Sequence, residues 1–212
     1  MEPTVILRDY KPCDYFSCEA LINEVWPFES NFASKIVGDY ALRLFTTSHI
    51  FTSNHAKVVE INGEIAGLLL GKVDQKPESK PSIQQRLFQY ACGLRFWLAQ
   101  SVPWREKRAL KSRITEHQAA WQQYSHLGNE LSLLVINPNY QGLGLGRKLW
   151  HVYLTTCQQL QAKSVVLETS QVGAGALYEK LGFERVGQFD SPLYQTFYHR
   201  TQVYVYRYQI QT

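Results

Sequence analysis

The spacing of hydrophobic positions changes several times along the chain, and each change marks an element. Residues 4–8 read as a short first strand. Over 14–25, Phe16, Ala20, Leu21 and Val25 recur near the helical period. Trp26-Pro27-Phe28 ends that helix, because proline disfavours helical geometry in the residue before it. Ser30 reads as the N-cap of a second helix to about Thr46, with Phe32, Ile36, Val37, Tyr40, Leu44 and Phe45 on its apolar side. The runs 56–61 and 64–73 flank Asn62-Gly63, a strong hairpin signal. After 130 the pattern alternates again. Residues 130–136 read as a buried strand, 147–161 as a helix, 164–168 as a strand and 173–181 as a helix closed by Gly182. Strands follow at 183–189 and 201–209.

The stretch 76–126 stands apart. A polar linker with Pro77 and Pro81 leads into a helical pattern with Leu87, Tyr90, Ala91, Leu94, Trp97 and Leu98 on one face. Pro103 interrupts it, and 105–124 resumes it. This segment holds nine Lys/Arg against three Glu, so the basicity of the chain is local. Three readings are open for it. It is a wall over a substrate cleft, a surface for an acidic partner, RNA or an anionic membrane, or an amphipathic pair with solvated charges that covers the sheet or joins a homodimer.

The chain has 212 residues, 45% hydrophobic, which suits one domain with a proper core. A net charge of +4 does not announce a nucleic-acid binder, and no nucleic-acid partner is expected. Four scattered Cys without a C-x-x-C pair argue against a zinc ribbon or a disulfide-stapled secreted fold. No signal-peptide pattern and no apolar run of about 20 residues is visible. The expectation is a cytoplasmic protein with no membrane partner and no metal.

The order strand, turn, Gln141-Gly142-Leu143-Gly144-Leu145-Gly146-Arg147, helix is informative. Glycines admit positive φ and let backbone N–H groups approach a ligand. The helix start adds unpaired N–H groups and a positive dipole end, and Arg147 can fork onto a phosphate. A diphosphate is the natural ligand. Gly146 is followed by Arg147-Lys148-Leu149, so the loop is not a P-loop. The third glycine of a dinucleotide fingerprint would fall on Arg147 or Leu149, so that motif fails as well.

The stretch from Glu130 through Ile136-Asn137-Pro138 to Gln141-Gly142-Leu143-Gly144-Leu145-Gly146 resembles the acyl-CoA-binding motif of the GNAT superfamily of N-acetyltransferases, Q/R-x-x-G-x-G/A after a strand end. A second signature, Ala174 to Phe183, is similar to the family's A-x-x-L-Y-x-K-x-G-F segment, in the expected order. The first 75 residues fit the family's start by pattern alone. The resemblance implies an α/β fold: a mixed, twisted sheet flanked by helices, forming one GNAT-like domain over 1–212. The segment 76–126 would be a helical insertion between strands three and four, much longer than a usual connection.

The implied activity is transfer of an acetyl group from acetyl-CoA to a primary amine, on a small molecule or on a protein or peptide, by direct attack. The alternatives are a non-catalytic acyl-CoA-binding sensor or regulatory module, and transfer of a longer acyl chain. In such a fold the sheet splays between strands four and five. Leu134, Val135 and Ile136 would offer backbone groups to pantetheine, and Gln141 to Arg147 would hold the diphosphate. Gln171 stands where many members carry Asn, seven residues before the tyrosine. Tyr178 would protonate the departing thiolate. An alkylammonium has a pKa near about 10, so the reaction needs a proton acceptor. Glu130, which opens strand four, is the candidate, with Glu29, His49 and His199 as alternatives. The resemblance places substrate near Trp26 to Asn31 and Asp190 to His199. Trp26 and Tyr194 would wall the amine there, and Glu29 and Asp190 would receive it.

Overall fold

The computed structural model describes residues 4–32, 34–78, 80–170 and 174–211. Seven strands form one sheet in the order β1-β2-β3-β4-β5-β7-β6. They are β1 (Val5–Asp9), β2 (His55–Ile61), β3 (Glu64–Lys72), β4 (Asn129–Ile136), β5 (Ser164–Thr169), β6 (Glu184–Asp190) and β7 (Gln202–Gln209). Every pairing is antiparallel except β4 with β5. The helices are α1 (Tyr15–Val25), α2 (Phe28–Asn31), α3 (Lys35–Thr52), α4 (Ile83–Leu98), α5 (Trp104–Trp121), α6 (Leu145–Gln159), α7 (Gly175–Lys180) and α8 (Pro192–Tyr198). The mixed, helix-flanked sheet expected from the sequence is the observed architecture, and α4 and α5 lie in the chain between β3 and β4.

Each face of the sheet has its own core. On one face Leu149, Trp150 and Tyr153 of α6 and Tyr178 of α7 pack with Leu69, Leu131 and Leu167. On the other, Leu21, Ile22, Ala41 and Phe51 of α1 and α3 pack with Leu68, Leu70, Leu133 and Val135. Leu68, Leu69 and Leu70 are all fully buried, as a strand covered on both faces requires. Each contributes roughly 1.5–3 kcal/mol by leaving water. Asn62 and Gly63 have φ of +51° and +89°, the left-handed pair that a tight hairpin needs. Gly182, at φ +90°, closes α7, where the Phe183 N–H reaches back to the Tyr178 carbonyl.

Three boundaries differ from the sequence reading. Ser34, not Ser30, caps α3 by accepting the Val37 N–H, while the Ser30 hydroxyl donates to the Pro27 carbonyl within the separate turn α2. Residues 190–199, expected as a loop, contain α8, with Ser191 as N-cap and Pro192 at the first turn. Most of the expected apolar face of α4 points outward, although Trp97 of that face turns in. Ile83, Leu87, Tyr90, Leu94 and Leu98 are 61–76% exposed, while Phe88, Phe96 and Trp97 pack inward. The α4–α5 corner is fixed by Lys107. Its buried ammonium donates to the carbonyls of Trp97 and Ala99 at 2.8 and 2.7 Å and lies over the Trp104 ring.

The sheet forks at its centre. β4 pairs with β5 only at Asn129↔Val165 and Glu130↔Val166. Beyond that point β4 follows β3 to Ile136, and β5 follows β7 to Thr169. A bulge lies beside the fork: Gly71 faces Leu131 and Leu70 faces Leu133, so Ser132 is the extra residue. The bulge reverses the strand's faces, since Leu131 joins one core while Leu133 and Val135 join the other. Buried Tyr153 of α6 backs this place. Its hydroxyl lies 3.0 Å from the carbonyl oxygens of both Lys72 and Glu130. Gly71 makes room for the ring, because a Cβ there would sit 2.5 Å from Tyr153 Cε2.

Tyr153→Phe removes the single hydroxyl hydrogen that the part-buried carbonyls of Lys72 and Glu130 share, so urea unfolding is expected to show a loss of about 1–3 kcal/mol. An unchanged midpoint would show that the bulge does not depend on this hydroxyl.

Candidate active site

The fork leaves one edge of β4 without a strand. The Asn137 N–H bonds the Ala66 carbonyl, so alternation turns the backbone groups of Val135 toward β3 and those of Leu134 and Ile136 toward the gap. Unpaired strand groups in a narrow cleft need a partner, and an extended chain laid along β4 would supply one.

The glycine loop lies at the end of the same strand. Gly142 and Gly144 have φ of +80° and +74°, and a Cβ at either would meet nothing within 4 Å. Gly144 is the N-cap of α6 and no side chain caps the helix, so its first N–H groups are open. Gln141, Leu143 and Arg147 are exposed beside them. The Leu145 side chain is buried in the core, and only its backbone faces the loop. Open donors, a positive helix end and an exposed guanidinium fit a diphosphate.

Tyr178 is buried on α7, with its ring against Phe183. Burial pushes its phenol above the usual value, with a further push from the neighbouring Tyr198, so it stays protonated through neutral pH. Tyr198 accepts a hydrogen bond from the Trp26 indole N–H at 2.7 Å and packs against Tyr194. Burial, then Glu168 and the two neighbouring tyrosines, hold Tyr194 protonated as well.

Glu130 stands at the fork with both oxygens engaged. Oε2 pairs with Lys72 at 3.0 Å, and Oε1 accepts from the Ser132 hydroxyl at 2.8 Å. His49 of α3 comes close enough to feel Glu130, Glu168 and Lys72. Its Nδ1 lies 2.8 Å from the Phe45 carbonyl. A carbonyl only accepts, so Nδ1 carries the hydrogen and Nε2 keeps a lone pair.

Two expected substrate residues meet partners at the surface. Glu29 is exposed and paired with Lys35, and Asp190 is exposed and bonded to Thr201. Gln171 lies outside the described residues. The sequence reading missed Glu168 of β5 and His117 of α5, whose Oε1 and Nε2 lie 3.0 Å apart. The available signal was a carboxylate inside the apolar run Val165-Val166-Leu167-Glu168. Nothing local marked His117.

Residues 112–191 match the family model described as Acetyltransferase (GNAT) domain. Mycothiol acetyltransferase of Geodermatophilus obscurus is 36% identical over 86 residues, which are 40% of this chain and 28% of that protein, so the chain spans under a third of the relative's length. The ribosomal-protein-S18-alanine N-acetyltransferase of Escherichia coli superposes over 99% of this chain and 96% of its own, with a TM-score of 0.51 and 13% identity. The yncA protein of Salmonella typhimurium, solved with acetyl-CoA, covers 98% of this chain and 94% of its own, with a TM-score of 0.51 and 13% identity. At such identities the likeness carries the fold. The match to the GNAT model covers residues 112–191, and the chain as a whole shares the fold of these acetyltransferase structures. Among the described residues no helix is long and apolar enough to cross a membrane.

Burial lowers the pKa of His49 in the folded protein. Nitrogen NMR is expected to show the Nδ1–H form at neutral pH and a midpoint below about 6.5. The unfolded chain takes up this proton first as pH falls, so the imidazole favours folding above that value and the benefit is lost on acidification. A midpoint above 6.5 would mean that the two carboxylates outweigh burial.

Proposed function

We propose that the protein transfers an acetyl group from acetyl-CoA to a primary amine by direct attack on the thioester. The observation that carries this reading is the open edge of β4 running into a glycine loop with free N–H groups, with a buried tyrosine on the helix that follows β5. Acetyl-CoA is a co-substrate. Gly142, Gly144, Gly146 and Arg147 would hold its diphosphate, with Gln141 and the backbones of Leu143 and Leu145 beside them. Backbone groups of Leu134 and Ile136 would pair with the pantetheine arm, with Val135 between them fixing their spacing. An N–H of that edge is suited to the oxyanion that forms as the amine adds.

The steps follow from the groups at hand. The amine must first lose a proton, because an ammonium has no lone pair. Its nitrogen then attacks the thioester carbon, and collapse of the adduct breaks the C–S bond. Tyr178, protonated at neutral pH, donates to the thiolate as it leaves. Glu130 contributes a carboxylate beside the reacting carbon. Trp26 and Tyr194 are apt walls for the amine's stem. A cytoplasmic setting, amine acceptors on small molecules or on proteins, and a homodimer through the exposed face of α4 belong to the same proposal. The Escherichia coli protein is named for N-acetylation of an alanine of ribosomal protein S18, which supports the amine class only.

Thiol release in the presence of acetyl-CoA and a panel of primary amines tests the reading. Tyr178→Phe is expected to lower kcat about 100-fold while leaving acetyl-CoA affinity within about twofold. Gly144→Glu is expected to abolish acetyl-CoA binding in a calorimeter, since it brings bulk and negative charge to the loop. Glu130→Gln is expected to lower kcat/KM near neutral pH while leaving acetyl-CoA affinity within about twofold. Full binding by the Gly144 variant would move the diphosphate elsewhere, and an unchanged kcat would remove Tyr178 from the chemistry.

A further inference from the structure

Glu168 lies two residues past Val166, the last β5 residue paired with β4. Val165 and Leu167 belong to the core under α6, so alternation turns Glu168 to the opposite face, toward α3, α5 and α8. His117, from the inserted helix α5, reaches it there. Its Nε2 is 3.0 Å from Glu168 Oε1, and its Nδ1 is 3.0 Å from the Ser191 hydroxyl. A carboxylate only accepts, so Nε2 carries a hydrogen. The Tyr194 ring stacks on the imidazole at 5.7 Å and 21°, and its hydroxyl lies 3.4 Å from Oε1. Oε2 is different: it is buried, and no hydrogen-bond donor meets it among the described residues. A buried anionic oxygen without a donor is costly, and an ammonium is the group that completes it.

We propose that Glu168 anchors the acceptor amine and is its first proton acceptor, with His117 as the positioning residue that the helical insertion supplies. This rests on the acyltransferase reading above. Glu130 is the poorer acceptor because Lys72 and Ser132 already occupy its two oxygens. The ligand class is a primary alkylammonium whose stem packs between Trp26, Tyr194 and Tyr198. The ammonium docks on Oε2 and passes one proton to it, which frees the nitrogen lone pair. The C–N bond forms, the C–S bond breaks, and the thiolate takes the Tyr178 proton. The phenolate recovers the second proton shed by the nitrogen, and Glu168 releases its own to solvent. One ammonium and one thioester thus yield an amide, a thiol and one proton.

The groups that face Glu168 come from several elements. His117 faces it from α5, Tyr194 and Tyr198 from α8, and His49 from α3, while the Glu130–Lys72 pair stands at the fork. The His117 N–H holds Oε1, and so fixes where Oε2 stands to meet the amine.

The experiment measures kcat/KM against pH by thiol release, with phenethylamine, 1,4-diaminobutane and an alanyl peptide amide as acceptors. Calorimetry gives acetyl-CoA affinity for every variant. On the best acceptor, Glu168→Gln is expected to lose at least about 100-fold in kcat/KM with acetyl-CoA affinity within about twofold, and Glu168→Asp to recover part of the loss. His117→Ala is expected to raise KM for the amine at least about tenfold while kcat falls less, and His117→Gln to restore it in part. Full activity and an unmoved profile in Glu168→Gln would overturn the inference and leave the acyltransferase reading standing. Loss of acetyl-CoA binding in both Glu168 variants would make this a folding residue and overturn it too. A wild-type protein that acetylates none of the amines would bring down the acyltransferase reading, and this inference with it.

Discussion

The parting of β4 from β5 after Glu130 and Val166 is the constraint on which the rest depends. A continuous sheet would pair every backbone group of the two strands. Here one edge of β4 is left open over the residues that lead into the glycine loop. The cost of unpaired groups is offset elsewhere, by β3 on the other edge of β4 and β7 on the far edge of β5. Tyr153 and the bulge at Ser132 hold the parting in place from the α6 side. The two cores, one on each face, stiffen both arms of the fork. The gap is therefore one that the two cores maintain.

What fills the gap divides by face. The α6 side brings the helix start, the open N–H groups and the Tyr178 ring. The α3 and α8 side brings His49, Glu130, Glu168 and the tyrosines. The insertion joins this second group. Lys107 locks the corner between α4 and α5, and Arg113 and Tyr124 tie α5 and its end to α8 and β6 through bonds of 3.3 and 3.0 Å to Thr196 and the Gln188 carbonyl. Of the readings open for the basic segment, the geometry of α5 favours a wall over the cleft. Its charges are mostly solvated, and its one imidazole at the cleft is the part that meets the site.

Much of this was legible in the sequence because it is local. The Asn62-Gly63 turn, the glycine loop, the close of α7 at Gly182 and the apolar strands each follow from a few neighbouring residues. The α8 turn was legible too, in Ser191-Pro192, but the aromatic residues around it look like a loop rim. The failures are long-range. Glu29 and Asp190 look like cation receptors as isolated acids, but each meets a partner nearby on the surface, Lys35 and Thr201. The pairing of His117 with Glu168 spans the insertion and two strands, and no periodicity encodes it. The outward face of α4 misleads for the same reason: period shows that a face is apolar, but not that the helix turns in along Phe88 and Phe96, with Trp97 as the one expected residue that joins them.

The central claim is that the open edge of β4 and the glycine loop together receive acetyl-CoA. Amide NMR during titration with acetyl-CoA tests it most directly, because it reads each N–H. The account predicts large shifts and slowed hydrogen exchange at Leu134 and Ile136, and shifts across Gly142 to Arg147, with the β3-facing amide of Val135 little changed in exchange. Saturable binding that leaves Leu134, Ile136 and the loop amides unmoved would contradict it.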